Sequence, residues 1–207
     1  MKKLALCLAL TCGLFANPHA NHSSHNNPSS IADSMHMHML KEPFKMSDNL
    51  EYNFIYNMIP HHKDAIYSSK IILEKSKNKE VIKAAKEIIA TQEKEVSDFT
   101  KLLEELSQNK TSYSKQEIEK FNKDAAKIME DMHKDMAQSK STSLDKEFLK
   151  AMISHHKGAV LSSKQILDYT KNEKIIKIAK DIINAQEKEM KSFEAMIKAI
   201  QKNAHHH

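Results

Sequence analysis

Two segments of the chain carry the same donor pattern: Met58-x-x-His61-His62 recurs as Met152-x-x-His155-His156. On a helix, residues three and four apart share a face, so each methionine lies beside both histidines of its segment. Imidazole and thioether are borderline to soft donors, and together they favour Cu(I) or Ag(I), with Cu(II) also within reach, over Mg, Ca or Mn. The bland alternative is packing, because methionine fills irregular core gaps and a single buried histidine is normally a bonded polar group. That account must place paired imidazoles on an apolar face twice, and each costs free energy unless it is bonded. The ligand reading is therefore preferred.

Two further clusters extend the donor set. Met129, Met132, His133 and Met136 stand at i, i+3, i+4 and i+7, one stripe of a helix. Such a stripe by itself fits a core as well as a metal site, and its company with the paired histidines favours the metal. Met35, His36, Met37, His38 and Met39 alternate instead, which suits a flexible or partly helical arm. The excess is general: 12 Met and 13 His in 207 residues with only 2 Cys.

The elements that must hold these donors follow from an ungapped internal repeat. Residues 54–103 align with 148–197 at an offset of 94, and 25 of the 50 pairs are identical. A period that long exceeds solenoid units, so duplication of a helical hairpin is the better account. In each copy Phe54/Phe148, Met58/Met152, His61/His155, Ala65/Ala159 and Ser68/Ser162 recur at helical intervals, with a parallel stripe through Ile55, Ile59, His62 and Ile66. After a polar break in which Asn78 caps, a second helix carries Val81, Ala85, Ile88, Gln92, Glu95 and Phe99 on one seam. The second copy repeats this as Ile175, Ala179, Ile182, Gln186, Glu189 and Phe193. A hairpin turn centred near Lys77 puts residue 61 opposite residue 93. Gln92 and Glu95 then face His61 and His62, and Gln186 and Glu189 face the second pair. Metal-bound imidazoles commonly donate their other ring N–H to a carboxylate or amide oxygen, so these four are the candidate supporting groups. A Glu–His packing bond without metal explains the pairing equally well, but not the methionines.

Between the copies, Ser114 to Glu117 reads as a capping box opening a further helix that runs to about Ala137. The expectation is an all-α, up-and-down helical bundle: two duplicated hairpins over 47–110 and 143–203, joined by a Met-rich connecting helix in 111–142. That makes five helices, or six if the segment around residues 31–40 adds a turn or two.

Residues 1–20 combine Lys2 and Lys3, an apolar run too short to span a bilayer, and small residues at Ala16 and Ala20, the pattern of an export signal. Lipidation at Cys12 is the lesser reading, because Thr11 stands where a small residue is wanted. Residues 21–46 read as a flexible Met/His-rich leader, polar and aperiodic at its start. Removing the signal takes away Cys7 and Cys12, and with them any disulfide, thiolate zinc site or cysteine nucleophile. It also lowers the formal charge from +5 to +3, since Lys2 and Lys3 leave with it. With no Arg and with Lys and Glu interleaved on helix faces, nucleic-acid binding is disfavoured. Carboxylate di-iron sites want two Glu-x-x-His motifs, and the chain has one, Glu130-x-x-His133. With Gly13 and Gly158 the only glycines, phosphate loops and nucleophile elbows are absent.

The stretches Phe54-Ile-Tyr-Asn-Met-Ile-Pro-His-His-Lys-Asp-Ala65 and Phe148-Leu-Lys-Ala-Met-Ile-Ser-His-His-Lys-Gly-Ala159, each followed by Gln-Glu-Lys-Glu, resemble the domain-of-unknown-function 305 family. The resemblance implies a ferritin-like bundle, export, an association with copper binding and tolerance, and Met58, His61, His62, Met152, His155 and His156 as shared functional positions. The chain departs from the family pattern at Ser68, Ser162, Phe99 and Phe193, where family members tend to carry Met, and at Asp64 and Ser154. The expectation is a non-enzymatic periplasmic copper-binding protein for sequestration, tolerance or hand-over to a trafficking partner. The alternatives are a metal-free interaction module, with the histidines structural or pH-sensing, and a weak ferritin-like oxidase.

Overall fold

The structure is a computed structural model that describes residues 30–204. The expected export signal, the polar segment up to residue 29 and His205–His207 lie outside the described residues. Seven helices follow one another among them: α1 (Ile31–Ser34), α2 (Met37–Lys41), α3 (Leu50–Lys75), α4 (Lys79–Gln108), α5 (Lys115–Ala137), α6 (Leu144–Leu167) and α7 (Glu173–Ala204). The chain is an all-α helical bundle. None of these helices is long and apolar enough to cross a membrane.

Caps set the starts of the long helices. Asn49 accepts from Tyr52 N at 3.1 Å, and its amide donates to the Leu106 carbonyl at 2.8 Å, which ties the start of α3 to the end of α4. Asn78 caps α4 and Ser143 caps α6, while Ser114 and Glu117 form the reciprocal capping box of α5. The short links 76–78 and 168–172 fold α3 against α4 and α6 against α7 as antiparallel neighbours. α3 and α6 pack on each other, and α5 lies against α6.

The core falls into two clusters that exchange halves of the two copies. One joins Ala65, Ile72, Val81, Ala85 and Ile88 of the first copy to Phe148, Leu149, Met152 and Phe193 of the second. The other joins Phe54, Ile55, Met58 and Phe99 to Ala159, Ile166, Ile175, Ala179 and Ile182, which are the same positions with the copies swapped. The two hairpins therefore pack in a twofold-like manner, the start of each copy's first helix against the end of the other's. His61 and His155 are equivalent positions in the repeat, and each lies between the two groups of core residues on its own helix.

The described part of the leader is partly helical. From residue 31 it forms two short helices, with Ile31, Ala32, Ser34 and Met35 buried. Ala32 N donates to Glu147 Oε1 at 3.2 Å, and the Ser34 and Ser68 hydroxyls meet at 2.8 Å. Asp64, fully buried on α3, accepts from His38 N at 2.6 Å, from Met39 N at 3.1 Å and from the His38 ring at 2.7 Å. The physical reason is satisfaction of orphan groups: the buried carboxylate and the exposed backbone N–H groups of a five-residue helix cancel each other's desolvation.

Candidate metal centre

α3 and α6 bring their histidine pairs together at the middle of the bundle. His61 and His155 stack with ring centroids 3.6 Å apart and planes 30° from parallel. His62 and His156 sit on either side, their centroids 6.0 and 6.2 Å from the neighbouring ring. All four are buried, three of them completely. Burial first, and the neighbouring imidazoles second, hold His61 and His155 well below the usual histidine range, so both rings are neutral.

Hydrogen bonds assign the tautomers. His61 Nε2 lies 3.1 Å from the His155 carbonyl, which can only accept, so Nε2 carries the proton and Nδ1 the lone pair. His156 Nε2 donates to Glu189 Oε2 at 2.8 Å, which places a proton on Nε2. His62 and Glu95 repeat that pair at 2.9 Å, with the distance of an ion pair but without hydrogen-bond alignment. The Nδ1 atoms of all four rings are buried and lack a hydrogen-bond partner, and so does His155 Nε2.

Gln92 and Gln186 are buried, each with an unpartnered side-chain oxygen. Phe99 and Phe193 lie 5.5 Å from the His62 and His156 rings. At those two positions an aromatic face stands in place of the thioether that the resemblance implied. Among the described residues no three His, Cys, Asp or Glu side chains converge to hold an ion. A cation bound here would therefore need thioethers beside the imidazoles, and that donor set suits a soft ion.

Four methionines share a cavity with one ring of the centre. Met39, Met58, Met129 and Met132 line it together with His61, and it has about 50 Å³ of room for water-sized occupants. That is ample for a single cation or a few waters. Gly158 makes space beside it: a Cβ at this position would stand 2.4 Å from Met132 Sδ. The remaining donors do not line this cavity. Met152 is fully buried in the first core cluster with Met35 and Met136, and Met37 is half-buried on α2. His38 is turned to Asp64, while His36 and His133 face each other. Sequence reasoning missed Asp64 and Glu147 as anchors of the leader. The one signal for Asp64 was that it replaces the glycine found at the matching Gly158.

Residues 51–197 match the family described as Domain of unknown function (DUF305). The chain belongs to that family. DUF305 begins, by this match, after the leader, so Met35 to Met39 lie outside it while both histidine pairs and α5 lie within. Among solved structures, CopM in the Ag-bound form is similar at 25% identity and a TM-score of 0.55, covering 72% of this chain and 95% of that one. CopM in the Cu(I)-bound form is similar at 24% identity and a TM-score of 0.55, covering 72% and 96%. A DUF305 fragment from Deinococcus radiodurans is similar at 22% identity and a TM-score of 0.54, again over 72% and 96%. No curated protein matches the chain.

Proposed function

We propose that this protein binds Cu(I), with Ag(I) and Cu(II) as further cargo, at the centre formed by Met58, His61, His62, Met152, His155 and His156. Its task is sequestration or hand-over in the periplasm rather than turnover. One observation carries the reading: four buried imidazoles each keep an Nδ1 with no hydrogen-bond partner. Leaving a buried polar atom unsatisfied costs about 1–3 kcal/mol. Two copies of the same uncompensated arrangement are more economically explained by a ligand than by packing. Glu95 and Glu189 take the Nε2 side of their histidines, the usual way of holding a ligating ring in one tautomer. The fold shared with CopM in its Cu(I)- and Ag-bound forms supports the choice of cation.

Competition for Cu(I) against a chelator of known affinity tests the reading. Binding tighter than micromolar, abolished when His61, His62, His155 and His156 are all replaced by Ala in a chain that remains helical by circular dichroism, is the expected result. Affinity unchanged in that variant would overturn it. The metal-free interaction module predicts the opposite, a chain indifferent to copper.

A further inference from the structure

A second pair of imidazoles lies beside the central four, near enough for His133 to lower the His61 proton affinity. His36, at the junction of α1 and α2, and His133, on α5, have ring centroids 5.5 Å apart with their planes 50° from parallel. Neither ring is engaged as its position would allow. His36 caps the start of α2 without giving its side chain to a backbone N–H, and its Nδ1 is buried with no partner. His133 Nε2 is likewise buried and unpartnered. Burial first, and the facing His36 second, lower the His133 proton affinity, so its lone pair is available at neutral pH. The neighbours of the pair along the chain are sulfur-rich. Met136 and Met129 lie one helical turn to either side of His133, and Met35 precedes His36. Met35 and Met136 are essentially fully buried in one core cluster, with Met129 packed against it.

We propose that His36 and His133, with the thioether of Met136 as third donor, form a second site for a soft monovalent cation, Cu(I) or Ag(I). Metal–imidazole bonds run about 2 Å, so one ion joined to both rings spans about 4 Å between nitrogens, within reach of rings whose centres are 5.5 Å apart. Such an ion satisfies two buried nitrogens that otherwise have nothing to bond, and it clamps the leader onto α5. One of the three donors, His36, precedes the family match at residue 51, so the site is not contained within the DUF305 match. The inference rests on the copper reading only for the kind of cation, not for the residues.

The test follows ring nitrogens in the full chain, with histidine labelled with nitrogen-15, as Ag(I) is added. The expected result is a shift of the His36 and His133 ring resonances and, in His36→Gln, the loss of one bound Ag(I) together with the His133 response. The conservative variant Met136→Leu, which keeps the core volume, weakens binding at this pair at least tenfold. Unmoved His36 and His133 resonances at saturating Ag(I), or an unchanged stoichiometry in His36→Gln, overturn the proposal. The two sites report separately: shifts confined to His61, His62, His155 and His156 sink only this inference. Shifts confined to His36 and His133 sink only the central one.

Discussion

His156 and Glu189 form the better-aligned of two equivalent pairs, and their side-chain exposures, 0% and 27%, make the carboxylate accessible to solvent while the ring is not. Replacing Glu189 by Gln keeps the size but removes the charge that holds Nε2–H in place. Loss of such an outer partner typically costs 10–100-fold in metal affinity. Glu95→Gln is expected to cost less, because the His62 pair lacks the alignment. Chelator competition on the two single variants checks both the loss and its order. A second residue-scale prediction concerns Gly158. An Ala there drives a methyl into Met132, whose Cγ and Cβ, at 3.0 and 3.3 Å, stand nearly as close as its Sδ. Overpacking of this kind costs about 1–3 kcal/mol, of which roughly 1 kcal/mol is recovered because Ala is the better helix former. Gly158→Ala should therefore lower stability in urea unfolding, and Met132→Ala in the same chain should relieve the clash. The two changes are then non-additive in a double-mutant cycle.

At the scale of elements, the two copies differ most in what leans on them. Position 64 carries a carboxylate that receives the leader, whereas position 158 carries no side chain and receives α5 through Met132. One substitution pattern thus accommodates two different neighbours on otherwise equivalent helices. Burial raises the Asp64 carboxyl above its ordinary range even though three N–H groups from the leader oppose that shift, so the carboxylate and the leader depend on each other. Asp64→Ala removes all three bonds. At a net of roughly 0.5–1.5 kcal/mol per bond, the opening of α2 should become at least tenfold more frequent. Limited trypsin digestion checks this: cleavage after Lys41 accelerates while α3–α7 stay intact. The register of each hairpin was open to inspection at this scale, because a short turn forces antiparallel neighbours and residues 92 to 95 then lie opposite the histidine pair. The docking of the leader was not, since its alternating Met and His carry no helical period and its partners Asp64 and Glu147 are 25 to 115 residues away.

Over the whole molecule, the two core clusters are built from swapped halves of the repeat, and the buried histidines lie between them. A cation held there stabilises only the folded chain, because the unfolded chain has no such convergence of donors. At a free concentration one hundred times its dissociation constant it adds about 2.7 kcal/mol. For a protein of this size that corresponds to a rise in Tm of roughly 5–11 °C, taking about 2–4 °C per kcal/mol. Thermal unfolding with Ag(I), and again after a chelator strips the ion, checks the prediction. The rise should shrink in Glu189→Gln at the same ion concentration.

The sequence alone determined the five long helices, the caps at Asn78 and Ser114, the repeat, and the seam that carries Gln92, Glu95, Gln186 and Glu189, since each depends on neighbours three or four residues apart or across one short turn. Only the tertiary structure decided that His61 stacks on its own counterpart His155, that four methionines gather at one cavity, and that His36 finds His133. Those contacts join separate helices, 94 positions apart for His61 and His155, and periodicity within a helix records which face is buried but not which distant face it is buried against.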